Sequence, residues 1–238
     1  MIEVRSYFSK YDINKVLEIL LILPEAIRPT HFSDRDDVVN SKNLISDKNR
    51  FKTFLEKNST GFFVQGKNGI YNLNISSKKI DLYLPDKFQE YIQTFFEAIT
   101  PLNPDFAYAA DDEEREHRNR CYKTIGINQI ESWVGRDINK YVPGLYCCTL
   151  LSKNLLDKHN INLKILLDAA TSHKILDREE QFHFFRFFEN TKMWKTEAQK
   201  LDQLCFQVEG IFSIKNVIDA TEDIDNYLDY SDIISEWH

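Results

Sequence analysis

Between Gly61 and Ile99 the spacing of apolar residues changes from two to three and four, and that change marks the clearest structure in the chain. Tyr71, Leu73 and Ile75 alternate with polar neighbours, and Ile80, Leu82 and Leu84 repeat the period, so each set lines one face of a strand. With Phe62 to Gln65 before them, and Gly66-Lys67-Asn68-Gly69 and Ser76-Ser77-Lys78-Lys79 as turns, they predict an antiparallel meander. After Pro85-Asp86, the residues Phe88, Tyr91, Ile92, Phe95, Phe96 and Ile99 fall on one helical stripe, which Pro101 closes.

The flanks are read the same way. Asp12 caps a helix through Leu23, ended by Pro24, with apolar residues around most of its circumference, which predicts burial. Asp47 to Lys57 predicts a second helix with Phe51, Phe54 and Leu55 on one face, and Thr30 to Ser46 between them reads as a polar loop. Asp105 to Ala110 predicts a strand, and so does Leu145 to Leu151, which precedes a polar segment at Lys153 to Asn160. Gln181 to Phe188 carries Phe on both faces, as a strand buried on both sides would. Met193 to Val208 aligns Trp194, Ala198, Leu201, Cys205 and Val208 as a helix, followed by a short strand at Ile211 to Ile214. Helices and strands mix without a βαβ repeat. The expectation is an α+β fold, an antiparallel sheet packed against amphipathic helices in one domain, with residues 1–60 mainly helical and 216–238 an acidic C-terminal element.

Charge changes the picture at that end. Asn216 to His238 holds seven acidic residues, Asp219, Glu222, Asp223, Asp225, Asp229, Asp232 and Glu236, and no Lys or Arg. The chain has 37 acids and 30 bases, so without this segment 30 face 30 and the formal charge of -7 vanishes. Ile224, Tyr227, Leu228, Tyr230, Ile233, Ile234 and Trp237 are interleaved with the acids, too apolar for a merely solvating tail. Read functionally, this is a landing surface for a cationic partner. Read plainly, it is an amphipathic end whose outward side is acidic.

Candidate chemistry is thin. There are only seven glycines in 238 residues, and the close pair Gly66 and Gly69 suits a hairpin rather than a phosphate loop. The G-x-S-x-G elbow and the H-E-x-x-H zinc motif are absent. Asp223 and Asp225 begin like a calcium loop, but Tyr227 and Leu228 occupy the places of an oxygen ligand and the turning glycine. His117 and Cys121, four apart, would share a helix face as a thiolate and imidazole, or stand there as a surface His near a core Cys. Asp111, Asp112, Glu113 and Glu114, with Glu116 and His117, offer carboxylate oxygens to a divalent metal, or simply an acid-rich first turn favoured by the helix dipole. A single acidic run lacks convergent ligands, so neither a metal nor a cofactor is expected. The aromatic run His183 to Phe188 lacks the positive groove that base stacking needs, which argues against nucleic acid and for core. Cys147 and Cys148 are adjacent in an apolar run, and the four cysteines read as buried thiols. Met1 to Lys10 lacks the order of a signal peptide, and no run approaches the roughly 20 apolar residues of a membrane span, so a cytoplasmic protein is expected.

The stretch Trp133 to Tyr146, WVGRDINKYVPGLY, running into apolar Cys147 to Leu151, resembles bacterial immunity proteins of polymorphic-toxin and type VI secretion systems. In such proteins a V-P-G-x-Y turn leads into an apolar strand and then a polar helix. The strand at Asp105 to Ala109 with its acidic sequel, and Ile211 to Ile214, are similar in order and character, so the likeness covers roughly residues 50 to 218. Cys147-Cys148 departs from the aromatic or polar residue often found after the Tyr, which leaves the exact family open. The resemblance implies an antidote that blocks a cognate toxin by binding, with no catalytic residues to transfer. The expected partner-binding residues are Asp223, Asp225, Asp229, Asp232 and Glu236 for steering and Tyr227, Tyr230 and Trp237 as anchors, with Asp111, Asp112, Glu113 and Glu114 as a second patch. The alternatives are a hydrolase or metal-dependent enzyme using Glu114, His117 and Cys121, and a non-catalytic adaptor. Oligomeric state stays open.

Overall fold

The computed structural model describes residues 1–36, 40–125, 128–133, 138–139 and 141–213, with backbone alone at 116, 119–125 and 128–133. Its centre is a nine-stranded sheet of β1 (Ile2–Tyr7), β2 (Pro29–Ser33), β3 (Gly61–Gly66), β4 (Ile70–Asn74), β5 (Lys79–Leu84), β6 (Phe106–Asp111), β9 (Cys148–Ser152), β10 (Ser172–Ile175) and β11 (Phe182–Arg186). Their order is β10-β11-β9-β6-β1-β5-β4-β3-β2, antiparallel throughout. A separate hairpin pairs β7 (Arg120–Ile125) with β8 (Asn128–Trp133). The helices are α1 (Ile13–Leu21), α2 (Lys48–Lys57), α3 (Tyr91–Ile99), α4 (Asp112–Asn119), α5 (Lys153–Lys158), α6 (Leu163–Ala169) and α7 (Trp194–Gln207). The fold is α+β, as the mixed periodicity predicts.

Register explains the two faces of the sheet, because residues opposite one another on paired strands point the same way. On one face Phe32, Val64, Tyr71, Leu82 and Val4 follow across from β2 to β1, and Ala109, Cys148 and Leu150 continue the layer. The helical stripes cover it: Phe95 lies 6.1 Å from Tyr71, Phe96 is 5.8 Å from Phe184, and Phe32 is 5.0 and 4.6 Å from Phe51 and Phe54. On the opposite face the β1 half is charged. There Arg5 pairs with Glu3 at 2.5 Å and Asp81 at 3.3 Å, Lys79 with Asp81 at 3.0 Å, and Arg115 reaches Glu3.

Several expectations meet their counterparts directly. The meander is β3-β4-β5, Asp12 and Asp47 cap α1 and α2, and the Phe stripe is α3, preceded by a 3-10 turn at Asp86–Phe88. β11 is buried on both faces, and Cys147, Cys148 and Cys205 are buried thiols. Four points differ. The polar loop from Thr30 begins inside β2, an edge strand that contributes Phe32 to the core. Helix α1 is amphipathic rather than buried all round, since Ile22 just past its end is 79% exposed while Val16, Leu17 and Leu20 are buried. At Ile211 there is a single bridge to Val142 in place of a strand, and Ile214 lies outside the described residues. β1, unassigned from its sequence, is central.

Candidate partner-binding surface

β6 runs straight into α4, and the acidic run sits at that junction. Carboxylates there oppose the positive end of the helix dipole, and Asp111 Oδ1 accepts the Glu113 N–H at 3.1 Å, which stabilises the first turn. The helix then divides the run by face. Asp111 and Glu114 are buried, at 1% and 0% exposure, whereas the side chains of Asp112 and Glu113 are 48% and 59% exposed. The second patch expected from sequence therefore loses Asp111 and Glu114 to the interior: Asp111 is the last residue of β6, paired opposite Ile2, and the turn of α4 points Glu114 inward.

Buried carboxylates need partners, and each has one. Asp111 Oδ2 meets Lys192 Nζ at 2.6 Å. Glu114 Oε1 accepts from Arg118 Nε at 3.1 Å and from the Cys147 N–H at 3.2 Å. Burial nevertheless outweighs the Arg118 charge and pushes the Glu114 carboxyl up to about 7. Arg118 also reaches Asp202 of α7 through Nη1, and His117 Nε2 meets the other oxygen of Asp202 at 3.1 Å. Burial of Asp202 works against its charge, but the His117 hydrogen bond and the Arg118 guanidinium prevail and hold its carboxyl below the ordinary range. At the surface, Glu113 pairs with Lys195 at 2.6 Å, and Lys195 lies 5.5 Å from the Trp194 ring, which faces His117 at 5.5 Å.

The Val142-Pro143-Gly144-Leu145-Tyr146 turn completes the surface. Val142 donates to Gly210 O at 2.8 Å and accepts from the Phe212 N–H at 2.9 Å, so the turn and the chain leaving α7 clasp each other. Tyr146 stacks on Tyr108 at 3.8 Å, its N–H donates to Thr149 Oγ1 at 3.0 Å, and the next amide, Cys147, reaches Glu114. The neighbouring Cys148 thiol, then burial, pushes the Cys147 thiol well up, so it stays protonated. A small open cleft between these elements is lined by His117, Gly144, Tyr146, Asp202, Cys205 and Phe212.

The eight partner-binding residues expected in the C-terminal element, Asp223, Asp225, Tyr227, Asp229, Tyr230, Asp232, Glu236 and Trp237, lie outside the described residues. That element follows Ser213, which lines the same cleft. His117 and Cys121 do not share a helical face, because α4 ends at Asn119 and Cys121 belongs to β7. Sequence spacing missed the partners that matter. Arg118 was findable, four residues after Glu114; Asp202, Lys192 and Lys195 come from a distant segment and carry no local signal. Among the described residues no group of three or more His, Cys, Asp or Glu is placed to hold a metal ion, and no helix is long and apolar enough to cross a membrane.

No protein-family model matches this chain, and no curated protein matches it. One solved structure, described as a Pseudomonas aeruginosa T6SS protein, is similar with a TM-score of 0.46 and 10% identity, covering 77% of this chain and 67% of that one.

Proposed function

We propose that this chain is an immunity protein, which neutralises a cognate bacterial toxin by stoichiometric binding and not by catalysis. The observation that carries the reading is the origin of the acidic element. The segment that holds the whole formal charge of -7 begins at Asn216, three residues after Ser213, and Ser213 lines a cleft with His117 and Asp202 on a surface that also carries exposed Asp112 and Glu113. A strongly negative segment suits a partner with a basic face, whose arrival it accelerates. The resemblance of Trp133 to Tyr146 points the same way. The buried ionic side chains of α4 support it too, since their geometry is spent on fastening α4 to α7 and to the turn at Gly144.

The test is co-expression with the product of the adjoining gene. The expected outcome is a stoichiometric complex and protection from that product's toxicity. Replacing Asp223, Asp225, Asp229, Asp232 and Glu236 by Asn or Gln should slow association about tenfold or more at low salt, abolish most of its salt dependence and leave the melting temperature unchanged. A hydrolase is the second reading, favoured by the Asp202 carboxylate that orients a half-exposed His117. Turnover of a substrate by the purified chain, lost in His117→Ala, would establish it against the first.

A further inference from the structure

At one edge of the large sheet, β10 is only four residues long and largely exposed, so little apolar burial holds it. Its attachments are the ladder to β11, a Lys174–Glu97 ion pair at 2.7 Å, the Thr171 hydroxyl donating to Phe187 O at 2.8 Å, and a contact between two imidazoles. Register places His173 opposite Phe185 and His183 opposite Ile175, so the two rings share one face and meet diagonally. His173 Nε2 and His183 Nδ1 are 3.1 Å apart. The ring centroids are 5.3 Å apart and the planes differ by 19°, so the two nitrogens lie between the ring centres and point at each other. That is the arrangement of an N–H···N hydrogen bond. A metal ion held at about 2.0–2.1 Å from both nitrogens would need them side by side, not head-on.

Head-on nitrogens have room for one proton between them. In the neutral pair one ring donates and the other accepts; with one added charge an imidazolium donates to a neutral ring, and the bond survives. With both rings charged, two N–H groups face each other with no acceptor. The surroundings disfavour that state. His183 is only 7% exposed, and it faces Leu151 of β9 and Phe185 of its own strand, with His173 in β10, Asp177 and Glu180 in the connection between β10 and β11, and Lys153 at the start of α5. The two acids favour a charge; Lys153 and the other ring oppose it. Burial, first of all, holds both imidazoles below their ordinary range.

We propose that His173 and His183 form a proton-operated latch, which fixes β10 to the sheet while they share a single proton and releases it, uncovering the β11 edge, when both rings are charged. The latched state binds fewer protons than the released one. Latching is therefore complete above the ordinary imidazole value of about 6.5 and is lost as pH falls below it. This inference is independent of the proposed function.

Hydrogen exchange on the full chain tests it, read as protection factors so that the pH dependence of intrinsic exchange cancels. Protection of the Leu176 amide, which donates to Phe182 O at 3.0 Å, and of the Lys174 amide should fall about tenfold per pH unit for each proton taken up below pH 6.5, while Leu82 in β5 stays protected. His173→Gln should weaken that dependence, leaving only the part due to burial of His183. Unchanged protection between pH 7.5 and pH 5, or a pH dependence undiminished in His173→Gln, would overturn the proposal. If His173→Gln loses β10 protection at every pH, nitrogen NMR of the rings in the unaltered chain decides: two linked titration steps support the latch, and two independent steps at the ordinary value sink it.

Discussion

Arg118 holds two carboxylates from different helices, and its removal should be costly. Arg118→Met leaves Glu114 buried without its cation, a loss of about 3–5 kcal/mol by the usual cost of orphaning a buried charge. The loss should depend on pH in a stated sense. Burial holds the Glu114 carboxyl up at about 7, so the folded state keeps a proton that the unfolded chain releases above the ordinary carboxylate range. The contribution of Glu114 is most favourable below that range and is lost as pH rises toward and through 7. Urea unfolding should accordingly show a larger deficit for Arg118→Met at pH 8 than at pH 6. Gly210 is the second sensitive residue, with φ at +83° and a would-be Cβ 2.6 Å from His159 O. Gly210→Ala should cost about 1–3 kcal/mol in thermal unfolding, since it strains the backbone that clasps Val142.

Elements with strong periodicity were legible, and those whose logic lies elsewhere in the chain were not. The stripe of α3 and the alternation of β4 and β5 announce themselves, and Asp12 does the work its position suggests, accepting from the Asn14 and Lys15 amides at 3.0 and 3.5 Å. Asp12→Ala should lower stability by about 1 kcal/mol, measured by denaturant unfolding. β1 went unread because Glu3 and Arg5 make it look polar; their charges are matched by Arg115 of α4 and Asp81 of β5, which no local window contains. β2 hid behind Pro29 and its single deeply buried ring, Phe32, and β10 behind its exposure. In β10 that exposure has its own logic. Its outer edge is guarded by Lys174, a charge that discourages pairing with another chain. Lys174→Val should promote self-association, visible as rising light scattering with concentration, while the monomer's circular dichroism stays the same.

At the scale of the molecule, charge is unevenly placed: the buried carboxylates of α4 and its junction with β6 meet cations, whereas the acidic element has seven acids and no Lys or Arg in its own sequence. That segregation was readable from composition. The α4–α7 surface was half readable, because Glu114 and His117 stood out as residues but only the folded chain brings Asp202 and the Gly144 turn to them. The order of strands has a further consequence. β1 lies between β5 and β6, so it precedes both neighbours in the chain and must wait for each. During synthesis on the ribosome, a nascent chain that has exposed residues up to 84 can close the β1–β5 ladder but still offers the whole other edge of β1, Ile2 to Tyr7, to solvent. Only when Phe106–Asp111 clears the exit tunnel does that edge find its complement, which makes the interval between those two moments the period in which chaperone capture matters most.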